Sequence, residues 1–443
     1  MNDMKKTMAI CVSAFLFSAL IGNSMPQAVT ITLLAVSGVL FIRRYVDGRM
    51  VPDMTALFLA AFFVQIVLSL AMYDKTIDTK YCGFSYMGDD YVYGDFGAIV
   101  GGLWRRGIFP DPLQLTYYNL IGENVFPQPY QIYNAVIFYL FRGNGGQVLL
   151  IINCFFHTAI ILPVYFISKE FGIRRQVMLF TFLLFLFWPS TFYWSMFNFK
   201  EPLILFGMFV VFAMIFVMKR PRLLTVLILT LLLVMLYQLK NYLLALFLAV
   251  FLYLDMSWRW RWKNVAILAV LVTLTLVQMI AHPSFFDLVK FDCLPLTLYN
   301  ARTAAYVSNT PYFMDMLTDT YITTLLYLPL GFCAVFFLPF LARPMELSHI
   351  VANVESIVWW SLLPFMVHGI WIAFSEKAKK SFVLLFIFFY WILILILTQG
   401  NMGTLLRQKS IIYYIGFIFT AISIERALEL MRDRGKDICK AGS

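Results

Sequence analysis

Charge is what this chain is short of. Lys and Arg number 34 and Asp and Glu 24 in 443 residues, 13% together, where a soluble protein would carry about a quarter. That shortage excludes a water-soluble globular protein. Histidine is scarcer still: His157, His282, His349 and His368 are scattered without ligand spacing and read as structural residues. The six cysteines form no C-x-x-C pair, which excludes a metal knuckle and a thioredoxin-type redox motif. Internal repeats, linkers and low-complexity tracts are also missing, so residues 1–443 read as a single domain.

What is there is apolar: 61% hydrophobic residues, 18% aromatic, and a mean hydropathy of +0.80. Apolar runs of about 15 to 20 residues recur from end to end between short polar or basic stretches, the pattern of an all-α polytopic membrane protein and not of a barrel. The first run, AICVSAFLFSALIG after Lys5 and Lys6, reads as a retained signal anchor. The net charge of +10 does not imply nucleic acid, because the basic residues sit in short loops and report orientation.

Basic clusters recur at Lys5/Lys6, Arg43 to Arg49, Lys169 to Arg175, Lys219 to Arg222, Trp258 to Lys263, Glu376 to Lys380 and Arg432 to Lys436. The positive-inside rule makes all of them cytoplasmic, with both termini. Two long loops then lie outside, at about residues 73–147 and 281–321, with shorter outer turns at Ser190 to Glu201, at YQLKNY and at QGNMGTLLRQ. The count requires about twelve full crossings, with Thr323 to Phe340 entering and returning or lying on the surface, helped by Pro329, Gly331 and Pro339. The runs flanking YQLKNY are short for separate crossings, so a single kinked helix is an alternative there.

The acids gather in the first outer loop, which holds Asp89, Asp90, Asp95, Asp111 and Glu123 among many tyrosines, including Tyr93. YVYGDFGAIVGGLWRRG spaces its apolar residues as an amphipathic surface helix that begins at GDD. Asp89 and Asp90 have two readings. They cap that helix, or one is a general base taking a proton from a sugar hydroxyl. With Asp95 they could also offer oxygen ligands to a divalent cation such as Mg or Mn.

In FWPSTFYWSMFNFKEPLILF a span ends at Pro189 and Lys200-Glu201-Pro202 opens the next helix. Glu201 and Pro202 suit a first turn, whereas a lysine there opposes the helix dipole. Lys200 therefore suggests either an anion, with a lipid phosphate the obvious one, or snorkelling to headgroups. Lys240 in YQLKNY, Arg302 in YNARTAAY, and Arg407 and Lys409 near the last span complete a set of outer cations. Gathered together they would make an anion site; apart, they are headgroup contacts. Cys82 and Cys293 are the cysteines this topology places outside, where an oxidising compartment permits a bond.

The order of these features resembles the GT-C polytopic glycosyltransferases, a group that includes lipid A aminoarabinose transferases and protein O-mannosyltransferases. The resemblance is carried by Asp89-Asp90 with Tyr93, by FWPSTFYWSMFNFKE, by LPLGFCAVFFLPFLARP followed by ESIVWW, and by GNMGTLLRQ. Where many members have arginine in the YQLKNY turn, this chain has Lys240. The resemblance implies a GT-C-like bundle that moves a sugar from a polyprenyl-phosphate or -diphosphate donor to a lipid- or glycan-linked acceptor hydroxyl, with inversion, on the outer face of the cytoplasmic membrane. It implies Asp89 as base beside Asp90, phosphate contacts from Lys200, Lys240, Arg302 and Arg407, and support from Tyr93, Asp95, Glu123 and Glu201. Two other classes fit part of the pattern. A polysaccharide polymerase uses similar lipids, and a flippase would show internal symmetry and ionisable residues in mid-span, whereas no repeat stands out here, the acids concentrate in one outer loop and the spans are nearly free of charge.

The topology has a direct test. In intact cells a thiol reagent should label Arg407→Cys from outside and leave Arg175→Cys and Lys380→Cys untouched; labelling of Lys380→Cys would overturn the scheme.

Overall fold

A computed structural model describes Ser18 and residues 24–76, 89–110, 129–218, 223–240, 243–257, 320–337, 347–398 and 402–441. Cys82, Glu123, Cys293 and Arg302, the first apolar run apart from Ser18, and nearly all of the second outer loop lie outside those residues. The elements, in chain order, are α1 (Met25–Tyr45), α2 (Val51–Thr76), α3 (Asp89–Arg105), α4 (Pro129–Phe141), α5 (Gly145–Ala159), α6 (Ile161–Phe171), α7 (Arg175–Phe187), α8 (Pro189–Trp194), α9 (Glu201–Val217), α10 (Leu223–Leu239), α11 (Leu244–Ser257), α12 (Tyr321–Phe337), α13 (Leu347–Thr398), α14 (Met402–Gln408) and α15 (Ser410–Ala441). Among the described residues, five stretches are long and apolar enough to cross a membrane: Met25–Tyr45, Val51–Tyr73, Pro129–Phe171, Asn353–Thr398 and Ser410–Arg434. Exposed Leu33 and Leu40 on α1, Leu227 and Leu231 on α10, and Leu325 and Leu326 on α12 give these helices apolar outer faces, as a lipid solvent favours.

Contacts gather in two compact units that interleave along the chain, so they are not successive domains. Unit one comprises Met1–Tyr165, Phe185–Phe187 and Thr191–Val210; unit two comprises Phe166–Leu184, Trp188–Ser190 and Val211–Ser443.

In unit one, α1, α2 and α5 pack around Ile31, Ala35, Phe62, Ile66, Ile151 and Cys154. The expected helix after GDD is present as α3, and its glycines let it lie close on α4. A Cβ at Gly97 would stand 2.8 Å from the Asn134 Cβ, and one at Gly101 would stand 2.7 Å from the Ala135 carbonyl oxygen. Gly97 and Gly101 form the G-x-x-x-G spacing that brings two helix backbones together. A short 3-10 turn at Arg142–Asn144, entered with Arg142 at φ 54°, folds α4 back so that Ile137 and Phe138 meet Val148 and Leu149 of α5.

In unit two, α13 is continuous only in name. Lys377 has φ −136° and ψ 46°, and the Ser381 hydroxyl donates to the Ala373 carbonyl at 2.7 Å, though eight residues of unbroken helix would separate them by about 12 Å. The chain therefore reverses at Lys377, and α13 is two span-length helices joined at the basic EKAKK turn. Lys377 and Lys380 bind Glu170 at the end of α6, and Arg174 binds Glu425 of α15. A second reversal settles the YQLKNY alternative. Tyr237 and Phe247 have ring centroids 6.4 Å apart, where ten residues of one helix would span about 15 Å, so α10 and α11 are two helices. The stretch expected to enter and return is helical from Tyr321 to Phe337, Pro329 included, and makes no turn within those residues.

The tightest helix contact in unit two is between α13 and α15: a Cβ on Gly369 would lie 1.8 Å from the Phe419 carbonyl oxygen. Gly369→Ala should destabilise the protein by about 1–3 kcal/mol or more. Gly102→Ala, on a helix position with nothing within 4 Å, should be neutral or stabilising by about 0.5–1 kcal/mol. Thermal unfolding in detergent compares the two, and equal melting temperatures would contradict the packing.

Candidate functional site

Unit one is organised around a backbone segment that is not regular helix. After α8 the chain passes through Ser195, Met196, Phe197, Asn198 and Phe199, four of them at most 5% exposed and Asn198 fully buried, before α9 begins at Glu201. Buried carbonyls there have no helical partner and need donors from elsewhere. Neutral side chains on three helices supply them. From α2, Ser69 Oγ donates to the Met196 carbonyl at 2.7 Å, and Gln65 Nε2 reaches the Phe192 carbonyl at 3.2 Å, the Ser195 hydroxyl, and His157 Nδ1 at 3.0 Å. From α5, Asn153 Nδ2 donates to the carbonyls of Phe197 and Phe199 at 2.8 and 2.9 Å. From α4, the Tyr130 hydroxyl lies 3.0 Å from both the Asn198 Oδ1 and the Phe199 carbonyl oxygen. Asn198 Nδ2 in turn donates to Asn134 Oδ1 at 2.7 Å.

This scaffold presents Lys200, whose carbonyl accepts the first bond of α9 from the Ile204 N–H at 3.0 Å. Lys200 is thus the N-cap of α9, followed by Glu201, which is 7% exposed. The ammonium lies 5.8 Å from the centroid of the Tyr93 ring, and that ring meets Tyr130 edge-on at 5.0 Å. A cation on an aromatic face gains roughly 0.5–1 kcal/mol or more, which offsets part of the cost of a lysine at a helix N-terminus. Tyr93 sits on α3, whose first two residues are Asp89 and Asp90. Asp89 and Asp90, four and three residues before Tyr93, both fall on its side of the helix one turn earlier. Both aspartates are helical residues of the first turn, and their backbone is what the structure describes.

Asp95 is half-buried on the same helix. It stands about 8 Å along the axis from Asp90. A Mg or Mn ion held by Asp89 and Asp90 would need further oxygens from other segments.

Lys240 and Arg407 belong to unit two. Lys240 Nζ lies 5.1 Å from the Trp391 ring centroid, and the Trp391 indole N–H donates to the Gln408 carbonyl at 2.9 Å. Arg407, in the last turn of α14, directly precedes Gln408. The structure therefore links two of the outer cations through Trp391, and it places Lys200 with Tyr93 and the start of α3.

The sequence alone assigned no role to Gln65, Tyr130, Asn134, Asn153 and Asn198, which fix the Lys200 turn, or to Glu355. The available signal was polarity inside apolar runs, where each amide or carboxylate needs a partner.

No family model matches the chain, and no curated protein matches it by sequence.

Removing one pin should expose how the turn is held. Asn153→Leu removes a donor that the Phe197 and Phe199 carbonyls share, leaving them the Phe199 N–H and the Tyr130 hydroxyl respectively, and should cost about 1 kcal/mol, read as a lower melting temperature together with faster proteolysis between Trp194 and Glu201. A variant as stable as the parent would show that the turn does not depend on Asn153.

Proposed function

We propose that this chain is a membrane glycosyltransferase that moves a sugar from a polyprenyl-phosphate or -diphosphate donor to an acceptor hydroxyl on the outer face of the cytoplasmic membrane, in the synthesis of surface polysaccharide or glycoconjugate. One observation carries the reading. Lys200, far from the acid pair in sequence, lies against Tyr93 one helical turn from Asp89. A base and a cation near one another are what transfer from a phosphate-linked donor requires.

Asp89 takes the proton of the acceptor hydroxyl as its oxygen forms the bond to the anomeric carbon. The bond from that carbon to the donor phosphate oxygen breaks on the opposite face, which inverts the centre, and the phosphate leaves with the electron pair. Its growing negative charge is met by Lys200 and by the positive end of α9, worth more in a cleft of low dielectric than in water. Lys240, Arg302 and Arg407 supply further positive charge for lipid phosphates at the same membrane face. The twelve-crossing topology, with residues 323–340 not crossing, puts these groups outside. Asp90 completes the catalytic pair beside the base, and Tyr93, Asp95, Glu123 and Glu201 support the acceptor or the loop.

Purified, correctly inserted variants separate the roles. Asp89→Asn keeps a helix-capping side chain but cannot accept the proton, so turnover should fall by at least about 100-fold with donor binding unchanged, and Asp90→Asn should be milder. Lys200→Ala should weaken both donor binding and turnover, by roughly 10-fold or more for a charge-assisted contact. Parent-like turnover in Asp89→Asn would overturn the assignment of the base.

A further inference from the structure

Unit two has a buried ionisable cluster that the proposed chemistry leaves unused. Glu355 is 2% exposed near the start of the Asn353–Thr398 stretch. Its carboxylate accepts the Ser190 backbone N–H at 2.7 Å and the Ser190 hydroxyl at 2.8 Å, and the Tyr413 hydroxyl bonds it as well. Lys409, between α14 and α15, is 1% exposed, with its ammonium 5.2 Å from the Tyr413 ring centroid and within electrostatic reach of Glu355. Burial pulls the Lys409 ammonium down to about 8, and the Glu355 carboxylate acts against that fall.

Well-packed apolar residues commonly replace such a pair without loss of stability, and ionisable groups inside membrane helices are characteristic of function. Lys409 also adjoins Gln408, the residue that links Lys240 and Arg407 through Trp391. Lys240 and Arg407 are both partly accessible, whereas Lys409 lies deeper. The groups shown to face Lys409 are therefore Glu355 from α13 and Tyr413 from α15, with Ser190 of α8 on the Glu355 carboxylate; Arg407 precedes it by two residues, and Lys240 reaches the neighbouring Gln408 carbonyl through Trp391.

We propose that Glu355 is a positioning residue for a phosphate site in unit two: it holds Lys409 charged and in place, so that Lys409 with Arg407 and Lys240 binds the phosphate of an anionic lipid. This deepens the lipid-phosphate part of the reading above and rests on it, but it does not depend on the acid pair or on sugar transfer. The linkage has a definite sign. Without the carboxylate, a buried lysine gives up its proton at lower pH, so binding that depends on the ammonium must fade at lower pH.

The test measures binding of a polyprenyl phosphate to the full chain in nanodiscs of neutral lipid, across a pH series from roughly 5 to 10. Affinity in the parent should fall as pH rises through the region of about 8. In Glu355→Gln, which keeps a side chain able to bond Ser190, the fall should come about one pH unit or more lower. Lys409→Arg, alone or combined with Glu355→Gln, should abolish the fall, because a guanidinium stays charged, and Lys409→Met should bind weakly at every pH. A purely structural pair would lower affinity without moving the profile, and an unmoved profile in Glu355→Gln overturns the proposal. Should Glu355→Gln not fold, the contrast of parent with Lys409→Arg decides it, since matching profiles would overturn it. Inorganic phosphate competing with the same pH pattern supports a site that reads the phosphate group alone, and lipid phosphate binding with no such competition supports one that also reads the chain. Polyprenol binding as tightly as polyprenyl phosphate overturns it. Because no sugar transfer is read, failure of the transferase reading leaves this result standing.

Discussion

Unit one depends on satisfying a few carbonyl oxygens. Between Ser195 and Phe199 the chain is buried yet not regular helix, and an unanswered carbonyl in an apolar interior costs of the order of a hydrogen bond's full desolvation, roughly 1–3 kcal/mol each. Ser69, Tyr130 and Asn153 answer them from α2, α4 and α5, and Gln65, also on α2, bonds the Phe192 carbonyl and the Ser195 hydroxyl beside them. Those helices must then approach the same segment, which fixes their mutual register. The consequence reaches α3, because α4 both carries Tyr130 and Asn134 and receives Gly97 and Gly101. One helix thereby sets where Lys200 stands and where α3 begins.

Unit two solves its polar problem with charge. Glu355 answers the Ser190 N–H at the start of α8, a donor that no preceding helical turn satisfies, but a carboxylate brought inside needs more than one neutral donor. Ser190 Oγ, Tyr413 and Lys409 complete its shell. The close approach at Gly369 holds α13 against α15, the helices that carry Glu355 and Tyr413. Packing and polar chemistry are thus mutually dependent.

Much of this was legible in the sequence. The helix after GDD, the helix end before Pro189, the start of α9 at Glu201 and the reversal in EKAKK all follow from charge, proline and apolar spacing, because those signals act locally. The amide pins were not legible, since hydropathy reports whether a segment prefers lipid and says nothing about which distant carbonyl Asn153 or Gln65 will meet. Gly97 and Gly101 were read as part of an amphipathic helix, because the partner that gives their spacing meaning is α4, more than twenty residues along the chain. Glu355 appeared only within a short motif: one carboxylate barely lowers the hydropathy of a run that contains VWWSLLPF. The linking of Lys240 to Gln408 through Trp391 required the fold, as no spacing connects residues so far apart.

The two ways of holding polar groups have different consequences for how the protein responds to its surroundings. Gln65, Ser69, Asn134, Asn153 and Asn198 carry no charge to gain or lose near neutral pH, so their contacts to the Lys200 turn do not themselves respond to pH, although the ionisable His157 bonds Gln65. In unit two Glu355 and Lys409 are themselves the scaffold, and any change in their charge is felt by Ser190 and Tyr413 directly. There, geometry and charge state are tied to the same two residues.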